Sequence, residues 1–251
     1  MLRLRVETDE RGCRTLWLDR PEKRNALDEA FLSELLAAAE ATSREEAVRV
    51  VLLRSTSEMF CAGADLNEWS NISPRNAQRL SALGGRAFQA LADLPVPVVA
   101  VLQGAALGGG LELALACDIR IGATTCRVGF PEPRLGNSPA WGGMRRLVEA
   151  VGVPSARDIL LTGDVIPAVD AHRMGIIQRI SAPEDLLARM GDLIESILAS
   201  DTGTLGYIKA LLGAPAQVIA AQEAAVAGFT ATRTESRERK EQFLASRRTR
   251  M

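Results

Sequence analysis

The sequence predicts an α/β protein built on a parallel sheet and followed by an all-helical part, on three observations. Strand-like and helix-like segments alternate along the first part of the chain, the pattern of a parallel sheet with crossover helices. The inner strand-like runs are β-branched and apolar, as buried strands are. After about Glu184 helix follows helix with no strand.

The elements follow in order. Residues 2–7 (LRLRVE) and 14–19 (RTLWLD) alternate apolar and polar, as half-buried strands do. Asp9 to Gly12 supplies the turn that joins them as a hairpin. RPEKRNAL is a polar loop, and an Ala/Leu-rich helix runs from about Asp28 to Ala41. Residues 48–53 (VRVVLL) form a buried strand that ends at Arg54 and leads into the loop FCAGADLNEW. An amphipathic helix spans about Pro74 to Leu91, and residues 97–102 (PVVAVL) are the next strand. The helix from Gly108 to about Cys117 is apolar nearly all round, which predicts a central position. DIRIGA and RVGF read as short strands.

Composition excludes several classes. With 251 residues, 47% of them hydrophobic and 24% charged, the chain is neither disordered nor of low complexity. Its 30 basic and 31 acidic residues leave a net charge of −1, which argues against nucleic acid as a partner. The stretch from Arg233 onward holds seven basic and three acidic residues and reads as a solvated helical face with a frayed end. Leu94 to Cys117 has the length of a membrane span. Pro95, Pro97 and the glycines interrupt it, and Glu112 would be costly in lipid, so it reads as a strand, a turn and a helix. Cys13, Cys61, Cys117 and Cys126 form no C-x-x-C pair, and His172 is the one histidine. Neither a metal site nor a disulfide framework is expected. The start, MLRLRVETDERG, lacks the apolar core of a signal peptide, and the expected compartment is a reducing cytoplasm.

Three segments carry chemistry. In GAALGGGLELALACDI, the glycines Gly108–Gly110 let backbone approach a ligand and open a helix whose free N–H groups suit a developing oxyanion. Glu112 follows in the first turn, and two readings stand side by side: a reactive buried carboxylate, or one that complements the helix dipole. In FCAGADLNEW, a loop with Gly63 and Ala64 can present backbone N–H groups, or it is a tight turn with Asp65 capping a helix. In VGFPEPRLGNSPAWGG, Glu132 sits between Pro131 and Pro133, either as a rigid acid/base or as an exposed loop acid. There is no G-x-G-x-x-G fingerprint, no P-loop and no G-x-S-x-G elbow, and His172 reads as a surface helix residue.

Taken together and in this order, RPEKRNALDEAF, FCAGADLNEW, VLQGAALGGGLELALACDIRIG, VGFPEPRLGNSPAWGGMRRL and LLTGDVIPAVDAHRMGIIQRI resemble the crotonase (enoyl-CoA hydratase/isomerase) superfamily over essentially the whole chain. The resemblance implies a spiral of repeated ββα turns over residues 1–183 that carries the CoA and catalytic site. It implies a C-terminal helical region over 184–251 that builds trimers, often paired into hexamers. It implies an acyl-CoA thioester substrate, with CoA part of the substrate and no cofactor. By residue matching, the N–H groups of Ala64 and Gly109 would form the oxyanion hole. Arg24, Ala26, Leu27, Ala62, Ala64, Asp65, Leu66, Gly108 and Trp141 would contact CoA or the acyl group.

Hydratases of this family carry two glutamates, at the positions of Glu112 and Glu132; many isomerases keep only the one matched by Glu132. The resemblance therefore implies syn hydration of a trans-2-enoyl-CoA, as in fatty acid metabolism. Isomerisation, decarboxylation or hydration of a specialised acyl-CoA are the alternatives. One segment departs from the family. Where P-G-A-G-G is usual, this chain has Pro139-Ala140-Trp141-Gly142-Gly143. Trp141 either narrows or stacks on the acyl group, or turns into the core or a subunit interface, and Trp69 is a second candidate for the acyl pocket.

Overall fold

A computed structural model describes residues 2–70 and 72–213, together with 233, 234 and 238. The first strands are β1 (Leu4–Thr8) and β2 (Cys13–Leu18), an antiparallel hairpin. Its turn is tied by Asp9, whose carboxylate accepts from the N–H groups of Arg11 and Cys13. Then come α1 (Glu29–Thr42), β3 (Val50–Ser55), the one-turn helix α2 (Leu66–Trp69), α3 (Pro74–Ala92) and β4 (Val98–Leu102). Next are β5 (Ala106–Leu107), α4 (Gly109–Leu115), β6 (Ile119–Ala123) and β7 (Arg127–Gly129). α5 (Gly143–Thr162), β8 (Val165–Pro167), α6 (Ala168–Arg173), β9 (Arg179–Ser181), α7 (Leu186–Leu198) and α8 (Thr202–Leu212) complete the described chain.

The larger sheet has the order β1-β2-β3-β4-β6-β9, and every pair after the first hairpin is parallel. The smaller sheet has the order β5-β7-β8. Period-two alternation divides the large sheet between two cores. Leu16, Leu18, Val51, Leu53, Val98, Ala100 and Leu102 face α1 and α3. Cys13, Val50, Leu52, Val99, Val101 and Ile121 face Leu186, Leu193, Ile194 and Ile197 of α7. Burial on both faces explains why β4 reads as an unbroken apolar run.

The elements expected from the sequence are present with small shifts at their ends. α4 is buried along its whole length, as its all-round apolarity predicts. The loop after β3 also contains α2, capped by Asp65, which accepts from the Asn67 N–H at 3.1 Å. α5 was not expected. Its start is glycine-rich, and Gly152 (φ 73°, ψ 165°) breaks it before Pro154, so the helical period is interrupted. The expected helical region 184–251 is described only through α7 and α8. The basic stretch after Arg233 lies almost wholly outside the described residues. Among the described residues no helix is long and apolar enough to cross a membrane.

Candidate active site

Three chain segments meet around a cavity of about 370 Å³. They are the loop that follows β3, the N-terminus of α4 and the segment 130–142.

The first loop is held on both edges. Cys61 donates its N–H to the Ala105 carbonyl and accepts from the Leu107 N–H. Two residues on, Gly63 accepts from the Leu27 N–H at 2.8 Å and Asp65 donates to the Leu27 carbonyl at 3.0 Å. Alternation then turns the Ala64 N–H to the opposite edge. Gly63 has φ +100°, and a side chain there would collide with the Leu107 carbonyl at 2.7 Å while lying 3.3 Å from the Gly109 nitrogen. The loop therefore rests directly on the first turn of α4. Among the described residues neither the Ala64 nor the Gly109 N–H has an acceptor. Two backbone donors so placed, the second at the positive end of a helix, are suited to an oxygen that gains negative charge.

Glu112 projects from α4 and is only 2% exposed. One oxygen, Oε1, accepts from the backbone N–H groups of Trp141 and Gly143, both at 2.8 Å. It thus caps the N-terminus of α5, and bare Gly143 makes room: a Cβ there would lie 2.3 Å from Cγ of Glu112. Burial raises the Glu112 pKa above the ordinary carboxylate value, while the backbone donors and the Arg146 charge pull against that rise. Arg146 is itself buried and clamps the same loop, donating to the Trp141 carbonyl at 3.2 Å and to Gln89 at 2.9 Å.

Glu132 has a different setting. It opens a short turn, Glu132–Leu135, between Pro131 and Pro133. Its Oε2 is buried and without a hydrogen-bond partner. Burial first, and then the neighbouring Glu112 charge, push its pKa up to about 7. Gly108, at φ +51°, leaves the space that this carboxylate uses: a Cβ there would lie 2.7 Å from Oε1. The two carboxylates are therefore neighbours in one cavity, one fixed by backbone donors and one with an uncommitted oxygen.

Ala62, Ala64, Leu66, Gly108, Gly109, Glu112, Glu132 and Trp141, all singled out from the sequence, line this cavity. So does Trp69. Arg24, Ala26, Leu27 and Asp65 do not. Leu27 is wholly buried and acts through its backbone. Asp65 caps α2 and pairs with Arg20 at 3.0 Å, which holds its carboxyl below the ordinary value despite burial. Arg24 is exposed outside the cavity and accepts from the Ala62 N–H at 3.0 Å. His172 is exposed on α6, as expected. Trp141 combines two expected alternatives: it is 2% exposed and packs edge-on against Phe88 at 5.5 Å, yet it also bounds the cavity.

Sequence reasoning missed Arg146 and Ser81. Ser81 donates to the Ala140 carbonyl at 2.8 Å and ties α3 to the loop that carries Trp141. A buried arginine in an unrecognised helix left no local signal. Among the described residues no cluster of histidine, cysteine or carboxylate side chains is arranged to hold a metal ion.

Comparison with known proteins gives a consistent picture. A family profile described as enoyl-CoA hydratase/isomerase matches residues 8–247. The crotonyl-CoA hydratase of Syntrophomonas wolfei is 37% identical over 185 residues, 73% of this chain and 71% of that protein. The enoyl-CoA isomerase/hydratase fer4 of Mycosarcoma maydis is 35% identical over 198 residues, 75% of this chain and 72% of that protein. The solved enoyl-CoA hydratase of Mycobacterium smegmatis superposes with a TM-score of 0.93 at 28% identity, covering 97% of this chain and 96% of the other.

Proposed function

Because the chain belongs to the enoyl-CoA hydratase/isomerase family and has the crotonase fold, we propose that this enzyme hydrates a trans-2-enoyl-CoA to a 3-hydroxyacyl-CoA. The thioester oxygen accepts hydrogen bonds from the Ala64 and Gly109 N–H groups. A water held between Glu112 and Glu132 attacks C3 and gives its proton to Glu112. The π electrons move toward the thioester, and the charge collects on its oxygen as an enolate. Collapse of the enolate takes a proton from Glu132 at C2, on the face that the water entered. The product carries the hydroxyl at C3, and one further proton transfer returns the carboxylates to their starting states.

The observation that supports this assignment most is the unequal setting of the two acids. Glu112 is bound by two N–H groups that favour its anion, which suits a base on water. Glu132, with a free oxygen and a pKa of about 7, suits proton exchange with carbon near neutral pH. The same free oxygen supports a second reading, proton transfer between C4 and C2 by Glu132 alone, which would be isomerisation.

On this reading CoA enters with the substrate, and the chemistry needs neither a resident cofactor nor a metal. The loop that carries exposed Arg24 and buried Ala26 would meet the CoA arm outside the cavity. Residues 1–183 would carry the site, and 184–251 would supply contacts of a homotrimer or a hexamer. Four buried thiols fit a reducing cytoplasm.

The test is product analysis in H₂¹⁸O by mass spectrometry. Crotonyl-CoA should gain one labelled water. Unlabelled crotonyl-CoA recovered intact, with a 3-enoyl-CoA converted to its 2-enoyl isomer, would replace hydration by isomerisation.

A further inference from the structure

Resting on the reading that this cavity takes an acyl-CoA, we propose that Trp141 is a specificity-determining residue that ends the acyl pocket and restricts the enzyme to short acyl chains of about four carbons.

The indole spans the gap between α3 and α4. At its pyrrole edge, a Cβ added to Gly84 would lie 2.4 Å from Cδ1 and Nε1. At its benzo edge, a Cβ added to Gly109 would lie 2.2 Å from Cζ3. Both helices are bare where the ring meets them, so the ring fills the space that would otherwise extend the cavity between them. It cannot swing aside without displacing a neighbour: Phe88 packs on it at 5.5 Å and Trp69 at 6.3 Å.

The ring also stands close to the reacting atoms. Its benzo edge touches Gly109, whose N–H faces the thioester oxygen in the reading above, and the backbone N–H of Trp141 holds Glu112. An acyl chain anchored at that oxygen therefore meets the indole after few carbons. The remaining cavity, about 370 Å³, lies at the small end of ligand pockets and must hold the thioester and a water as well.

Packing alone does not account for a tryptophan here. Buried indole N–H groups usually find an acceptor. The Trp141 Nε1 is buried and has none. A phenylalanine or leucine would fill apolar space without stranding a donor, so the position carries a large flat ring at a cost that the acyl pocket explains.

The test is binding of saturated acyl-CoAs, which cannot be hydrated, measured by calorimetry for butyryl-, hexanoyl-, octanoyl- and dodecanoyl-CoA. Wild type should bind butyryl-CoA best, with affinity falling about tenfold or more by octanoyl-CoA, as expected when extra methylenes have no room. Trp141→Leu should reverse the order, with octanoyl-CoA gaining at least about tenfold over butyryl-CoA. A wild-type affinity that rises with chain length, or the same ranking in Trp141→Leu, would overturn the proposal. If Trp141→Leu fails to fold, the wild-type ranking still decides, and Trp141→Phe supplies a milder enlargement. Because these ligands do not react, a chain-length limit without hydration of crotonyl-CoA would sink the hydratase reading and leave this one standing.

Discussion

Trp141 donates its backbone N–H to Oε1 of Glu112 at 2.8 Å, so the residue that bounds the cavity with its ring also holds the buried carboxylate with its backbone. Gly143 shares that oxygen at the same distance. The position of Glu112 thus depends on the entry into α5 and not on its own helix alone.

Replacing Glu112 by Gln keeps the shape but removes the base. Hydration should fall by about 10²–10⁴, the usual contribution of a positioned acid or base. Substrate binding, read by calorimetry with butyryl-CoA, should change little. Equal losses in binding and rate would move Glu112 from the chemistry to the framework.

Glu132 should set the basic limb of the pH profile. Its pKa of about 7 means that hydration, which needs the protonated acid, declines as pH rises through 7. Stability follows the same group. A carboxyl whose folded pKa lies above its unfolded value favours the fold at low pH, and that contribution is lost between about pH 4.5 and 7. At full strength the shift corresponds to about 3 kcal/mol. Partial exposure at the cavity mouth reduces it to on the order of 1–2 kcal/mol. Glu132→Gln should therefore be more stable than wild type by that amount at pH 8 and nearly equal at pH 4, as read by urea denaturation.

Gly84→Ala should cost about 1–3 kcal/mol, because its Cβ would meet the Trp141 ring at 2.4 Å. In a Trp141→Leu background much of that cost should vanish, so the double-mutant cycle should show clear coupling. Additive effects would mean that the ring and the glycine do not meet.

Much of this arrangement was legible in the sequence. Hydrophobic period and turn residues marked β1 to β4, α1, α3 and α4, since burial imposes those patterns locally. The all-round apolarity of α4 also made Glu112 conspicuous, because a carboxylate among buried leucines demands a reason. The partners of Glu112 were not legible. They are backbone groups about thirty positions away, brought in by a helix that Gly152 and Pro154 disguise. The place of Trp141 was equally hidden. It depends on Gly84 and Gly109, two bare positions on separate helices, and a glycine does not announce which side chain it admits.

The thiols should be inert in the folded protein. Burial pushes Cys61, Cys117 and Cys126 up to about 12 and Cys13 up to about 11. Ellman's reagent should react with none of them at pH 8 before denaturation, and with all four afterwards.

The central claim is that two glutamates of unequal character add water to a conjugated thioester. The most direct measurement follows the ultraviolet absorbance of crotonyl-CoA at pH 7 with wild type, Glu112→Gln and Glu132→Gln side by side. The account predicts loss of the conjugated band with wild type and a fall of about 10² or more in both variants. Wild-type rates retained by either variant, or an unchanged band with wild type despite tight binding of the thioester, would contradict it.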